Sequence, residues 1–377
     1  MVTIFEYVEL NDKTFKEKEF NEIDNLIFSR FAYMDLDDIF KENEKVSISE
    51  LYNRALKIEK FVNIDHFFVK ATFELFGLLA KSGRFKDILV GNYVSDIDRT
   101  IEKQFAAMTF YLPNNYIYVA YRGTDDNIVA WKEDFNMSYT MHVPSQIESV
   151  KYLENVTEKN RYKIIVGGHS KGGNMAMYAS IFCKKKIKKR IVKIYNNDGP
   201  GFFDEILDTK EYYEMVDKMH TLIPQTSIIG MLLFHRERVD VVKSDRMLIM
   251  QHDPDFWYVD FERDSFVKLN EVSKQCRYID DVMDELLLMP KEDKKRFFDI
   301  LYQMLTSTGC KTLTDLSSEK IKNIRGILSN YKKLNIEDRE LFVKVWKKII
   351  TIAKMNISNY LPNKTKNDNR SKKKQAV

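Results

Sequence analysis

The sequence predicts an α/β chain, a mostly parallel central sheet with helices on both faces, and three observations carry that expectation. From Phe105 to about Val267, short β-rich apolar runs alternate with helical stretches, as in sheets whose parallel strands are joined by helices. Residues 20–80 show only helical spacing, and beyond about Asp280 strand signals vanish while helical ones persist.

The N-terminal stretch places Ile23, Leu26, Ile27 and Phe31, then Phe67, Phe68, Ala71 and Leu75, at the intervals of buried helix faces, which predicts a helical layer. The expected strands are Tyr116–Tyr121, Lys163–Val166, Ile191–Tyr195, Met219–Ile223, Val239–Val242 and Met247–Met250. Three helices are expected near 291–306, 318–333 and 337–358. The last carries an apolar stripe at Phe342, Val345, Trp346, Ile349, Ile350 and Ala353. The tail from Asn363 has no apolar periodicity and reads as disordered. These boundaries divide the chain into 1–275 (sheet domain with helices 20–80 packed on it), 276–362 (C-terminal helical region) and 363–377 (basic tail).

With 377 residues, 44% of them hydrophobic, the chain can bury a large core. Its 60 basic and 56 acidic residues nearly cancel, which argues against nucleic acid as a partner. Cys183, Cys276 and Cys310 lack both disulfide-framework and metal-ligand spacing, so no metal or cofactor is expected and a reducing compartment fits. The N-terminus lacks the order of a secretory signal, and the longest apolar run, Ile228–Phe234, is too short to span a bilayer. A cytoplasmic protein is the expectation. Peripheral membrane contact through the lysine-bearing helix 337–358 is disfavoured because Glu337, Asp338 and Glu340 dilute its basic face.

Gly168-His169-Ser170-Lys171-Gly172 follows one expected strand and precedes a helical segment, Asn174–Lys185. This is the context of the G-x-S-x-G nucleophile elbow, and it narrows the fold to the α/β-hydrolase type with Ser170 as nucleophile. A plain glycine turn with a surface serine is the competing reading.

A serine hydroxyl needs a base, and the base an acid; in this fold they follow in the order Ser, acid, His. Three histidines follow Ser170. His220 lies inside an expected strand, His235 in a segment resembling a pocket wall or lid, and His252 in a loop between late strand-like runs, which makes His252 the expected base. Asp198, in the turn Asn196-Asn197-Asp198-Gly199-Pro200-Gly201 after the next strand, is the expected acid; an Asx turn is the competing reading, and Asp240, Asp253 and Asp255 stand in reserve. A working triad requires His252 within about 2.6–3.2 Å of the Ser170 hydroxyl, or somewhat further before substrate binds. The oxyanion hole is expected from the backbone N–H groups of Lys171 and Thr124. Arg122 is expected in a structural ion pair, with Asp134 as its candidate partner. Ile228, Met231, Leu232 and Phe234 are expected to line a substrate pocket or lid, with an ordinary core helix as the alternative.

The segments QFAAMTFYLPNNYIYVAYRGTDDNIVAWKEDFNMSY, VGGHSKGGNMAMYAS, NNDGPGF, PQTSIIGMLL and QHDPDFW resemble a bacterial family of unknown function allied to class 3 lipases, over roughly residues 85–260. The resemblance implies hydrolysis of esters or lipids. It places Arg122-Gly123-Thr124 on the Arg-Gly-Thr of class 3 lipases, whose Thr position lines the oxyanion hole, and Ser170 on their nucleophile. Those lipases carry the acid after a later strand, where this chain reads Ile223-Pro224-Gln225-Thr226-Ser227 without a carboxylate. Asp198-Gly199-Pro200-Gly201 instead resembles the turn bearing the acid in pancreatic-type lipases. The expected function is therefore a serine hydrolase acting on a small-molecule or lipid ester or thioester. A catalytically silent binding protein on the same fold is the rival.

Overall fold

A computed structural model describes residues 2–62, 64, 67–98, 100–125, 128–274, 276, 289–310 and 320–360. Its strands are β1 (Lys45–Ser47), β2 (Leu89–Asp98), β3 (Lys103–Leu112), β4 (Tyr116–Tyr121), β5 (Lys163–His169), β6 (Ile191–Asn197), β7 (Met219–Pro224), β8 (Arg238–Val242), β9 (Val259–Asp260), β10 (Ser265–Phe266) and β11 (Lys268–Leu269). The helices that matter for the site are α1 (Ile4–Leu10), α2 (Glu22–Phe31), α3 (Ile48–Ala55), α4 (Glu59–Val62), α5 (Phe67–Leu79), α6 (Ile128–Asn136), α7 (Pro144–Thr157) and α8 (Lys171–Phe182).

Nine strands form one mixed sheet in the order β1-β2-β3-β4-β5-β6-β7-β8-β11, flanked by helices. Strands β4 to β8 run parallel, while β1 to β3 and β11 pair antiparallel at the two edges. The parallel strands follow one another in chain order without reversal, and right-handed crossovers then put every connecting helix on one face. The opposite face would be bare apolar surface, and the N-terminal helices supply its cover. Residues in β4 divide accordingly: Ile117, Val119 and Tyr121 pack in one core with Leu153 of α7 and Met175 of α8, whereas Tyr118 and Ala120 pack in the other with Leu26, Phe28 and Phe31 of α2.

Two expectations change. Met247–Met250 is not a strand: a 3₁₀ turn spans Leu248–His252, and Met247 and Met250 stand 57% and 61% exposed, without the neighbours that hold an apolar strand in a sheet. The segment Ile228–Phe234 forms neither helix nor continuous strand; it crosses from β7 to β8 with a single bridge, Phe234 to Phe202. The antiparallel edge β1–β3 was not expected. In β2 the register shifts between Gly91 and Val94, with Asn92 at φ 51°, which breaks the alternation that marks a strand in sequence.

The C-terminal helices occupy Lys291–Thr306, Lys320–Lys333 and Ile336–Tyr360. They pack together through Phe297 against Phe342 and Arg296 against Glu337, and the first of them grips α6, with Phe298 stacked on Phe135 at 4.6 Å and Asp299 paired to buried Lys132. The expected tail from 363 lies outside the described residues. Among the described residues no helix is long and apolar enough to cross a membrane, and Cys183, Cys276 and Cys310 form no disulfide.

Candidate active site

Strand β5 ends at His169 and α8 begins at Lys171, so Ser170 alone makes the turn, at φ 59° and ψ −135°. A non-glycine residue there is strained and persists only when its surroundings over-determine it. The surroundings are close backbone: a Cβ on Gly172 would overlap the backbone oxygen of Tyr121 at the end of β4, so only glycine lets α8 approach the sheet. Ser170 is 8% exposed, at the carboxyl edge of the parallel strands.

The register pairs His169 with Asn197 and Asn197 with Leu222, which brings the turns after β5, β6 and β7 to that same edge. Asp198, fully buried and at φ 52°, follows β6; aspartate is among the residues that tolerate this left-handed conformation. Its Oδ2 lies 2.7 Å from Nδ1 of His252. Its Oδ1 accepts from the Ser227 hydroxyl and, at 3.2 Å, from the Gly230 N–H. A carboxylate only accepts, so this contact selects the Nδ1–H form of a neutral His252 and leaves Nε2 with its lone pair free. The imidazoles of His252 and His169, the residue preceding Ser170, lie 4.5 Å apart between centroids. The Ser170 hydroxyl and His252 are not hydrogen-bonded in this structure; such contacts often tighten only with substrate seated.

On the other side of Ser170, the Arg122-Gly123-Thr124 loop leaves β4 and presses so closely that a Cβ on Gly123 would lie 3.0 Å from the Ser170 Cβ. The Thr124 hydroxyl donates to Asp134 on α6. Arg122 pairs with Asp125 at 3.4 Å rather than with Asp134, because the Asp134 carboxylate is taken up by Thr124 and faces Lys171. The Lys171 side chain is 2% exposed, and its ammonium lies 2.9 Å from Glu133, 3.1 Å from Gln104 Oε1 and 3.7 Å from Asp134. Burial opposes that charge, but Glu133 and Asp134 outweigh it and hold the Lys171 pKa above its usual value. Burial pushes the Asp134 carboxyl up to about 6 against the pull of Lys171 and Thr124. Glu133 also accepts from the N–H groups of Gln104 and Ser145, so one buried carboxylate ties α6 to β3, α7 and α8.

A family model described as Mbeg1-like matches residues 79–303, more than half of the chain. The chain belongs to the Mbeg1-like family. This is a lipase-like family of unknown function, which is compatible with a hydrolase. The match runs into the first C-terminal helix, the one that grips α6. Comparison with curated proteins found no match.

The remaining candidates in this Mbeg1-like chain sit elsewhere. His220 pairs with Asp240 at 2.9 Å near the start of β7, beside Glu22, and its pKa is lowered by burial against the pull of Asp240. Ligand atoms of Glu22, His220 and Asp240 lie within 4.8 Å of one another, but Lys268 pairs with both carboxylates and Arg238 with Asp240. Two cations thus occupy the charge a metal ion would need, and the group reads as an ion-pair cluster. His235 bonds Glu237 at 2.7 Å. Asp255 is engaged by Arg30, and the Asp253 side chain caps the Asp255 N–H.

A shallow apolar cleft, with an interior of only about 10 Å³, lies between the segment after α6 and the one after Asp198; Met137, Met141, Phe202, Phe203, Ile206 and Leu233 contribute to its wall. The residues expected to form a pocket lie beside it rather than in it: Ile228, Met231 and Leu232 are half-buried, and Phe234 is 44% exposed. They belong to the loop whose Gly230 N–H reaches Asp198. Sequence reasoning overlooked His169, Tyr33 and Glu133. A lysine inside the elbow motif was the available signal, since an elbow is buried and a buried ammonium demands a carboxylate.

Proposed function

We propose that this chain is an α/β-hydrolase-type serine hydrolase that cleaves a carboxylic ester or thioester through an acyl-enzyme on Ser170. The observation that carries the reading is the His252–Asp198 pair at 2.7 Å, on the same sheet edge as a serine held in a strained strand-to-helix turn. His252 Nε2 takes the Ser170 proton as Oγ attacks the substrate carbonyl carbon, and Asp198 stabilises the imidazolium that forms. The carbonyl oxygen, now negative, is met by the N–H groups of Lys171 and Thr124. Collapse breaks the bond to the leaving alkoxide or thiolate, which receives the proton from Nε2. Water, deprotonated by the same nitrogen, then attacks the acyl carbon, and collapse breaks its bond to Oγ, which takes the proton back from Nε2 as the acid leaves. The substrate is a small-molecule or lipid ester.

Hydrolysis of p-nitrophenyl acetate and butyrate tests this. Wild type should turn both over, and Ser170→Ala should lose at least about a thousandfold in kcat while unfolding at the same temperature. Folded wild-type protein inert to esters and thioesters would return the chain to the class of silent binding proteins.

A further inference from the structure

His169 has no part in the chemistry above, yet it is 2% exposed and both of its ring nitrogens are engaged. Nε2 lies 2.8 Å from the carbonyl oxygen of His252. A carbonyl has no proton to give, so Nε2 is the donor. Nδ1 lies 2.9 Å from the Tyr33 hydroxyl. Burial, and then repulsion from His252, holds the His169 pKa well below its usual value, so the ring is neutral and Nδ1 accepts from Tyr33. A directed chain results: Tyr33 O–H to His169, and His169 N–H to the backbone of His252.

The chain starts from the N-terminal layer. Tyr33 closely follows α2, and its ring meets Phe68 edge-on at 5.2 Å. Three residues earlier, Arg30 is fully buried and makes a two-pronged bond to Asp255 at 2.8 and 2.9 Å. The end of α2 therefore holds the His252 segment twice, once through Arg30 and Asp255, once through Tyr33 and His169. The Asp198 contact fixes only one nitrogen of the His252 ring and leaves the ring free to swing about that bond. Fixing the His252 main chain removes this freedom.

We propose that His169 is a positioning residue, with Tyr33 setting its tautomer: it anchors the His252 backbone so that the nitrogen left free by Asp198 stays directed at Ser170. This rests on the reading of Ser170 and His252 as nucleophile and base. In an active site, a displacement of about 1 Å costs on the order of a hundredfold in rate.

The test compares wild type with His169→Leu, His169→Gln and Tyr33→Phe, using p-nitrophenyl acetate kinetics, a fluorophosphonate probe and thermal unfolding. His169→Leu should lower kcat about a hundredfold with KM within about threefold. His169→Gln, whose amide N–H₂ can donate from near the Nε2 position, should recover at least about tenfold of that loss, a rescue that mere packing would not give. Tyr33→Phe should lower kcat about fivefold or more. A His169→Leu protein that folds and keeps kcat within about threefold of wild type overturns the proposal, as does a Gln variant no better than the Leu variant. Should His169→Leu prevent folding, Tyr33→Phe decides: unchanged kcat overturns the proposal. Wild type that neither hydrolyses the ester nor takes the probe on Ser170 fails the underlying reading instead, so the two failures are told apart.

Discussion

The two flanks of Ser170 are built from different materials. On one side, Asp198, His252 and His169 are joined by hydrogen bonds among a carboxylate, imidazole rings and backbone groups, with the nearby cation, Arg30, committed to Asp255. On the other, Lys171, with an ammonium 2% exposed, is held by charge against the fully buried Glu133, and the Thr124 hydroxyl is held by Asp134. The first arrangement selects a tautomer and a direction. The second holds loops together by attraction that must outweigh desolvation, so it fails hard when one partner is lost and responds to pH. The proposed base is thus aimed by geometry, while the proposed oxyanion side is kept in place by ion pairing, which reaches through α6 to the C-terminal helices.

The largest expected effect breaks the charged flank. Lys171→Met leaves Glu133 buried without its cation and should cost about 3–5 kcal/mol of stability in urea unfolding. Adding Glu133→Gln should return part of that loss. If the single variant cost under about 1 kcal/mol, ion pairing would not be what holds this side.

Next comes the hydrogen-bonded flank. Asp198→Asn should lower kcat by about a hundredfold or more, because an amide no longer enforces the Nδ1–H tautomer or offsets the imidazolium. Asp240→Asn, among Arg238, Lys268 and His220, should change kcat by less than about threefold. Equal effects of the two would erase the distinction between the triad candidate and the ion-pair cluster.

The smallest effect sharpens the comparison through pH. Burial raises the Asp134 carboxyl to about 6 from an ordinary 3.8, so the folded protein holds that proton more tightly than the unfolded chain. Its contribution to stability is fully present below about pH 4 and disappears as pH rises through about 6. An amide in its place does not titrate, so Asp134→Asn should gain stability relative to wild type between about pH 4.5 and 6.5 in thermal unfolding. Asp253, also raised to about 6 by burial and by Asp255, is present in both proteins and cancels. Parallel curves would mean that Asp134 titrates normally.

The parallel half of the sheet was legible because β4 to β7 are largely buried apolar runs bounded by turns. The antiparallel edge was hidden by the register shift in β2, and Met247–Met250, most of it in the 3₁₀ turn that ends at His252, passed for a strand because Met247 and Met250 are apolar yet exposed. Chain order and turn chemistry were enough to nominate Asp198 and His252, whose hydrogen bond the fold then forms. What sequence could not supply was contact between distant segments. Tyr33 meets His169 only because the one-directional strand order leaves a sheet face that α2 must cover, and Asp134 meets Thr124 rather than Arg122 only once α6 is seated.

Whether Ser170 is an activated nucleophile is read out by a fluorophosphonate probe followed by mass spectrometry of the labelled peptide. One adduct on Ser170 in wild type, none in Ser170→Ala, and labelling slowed by about a hundredfold or more in Asp198→Asn are expected. Folded wild-type protein that takes no label, or takes it on another residue, would contradict it.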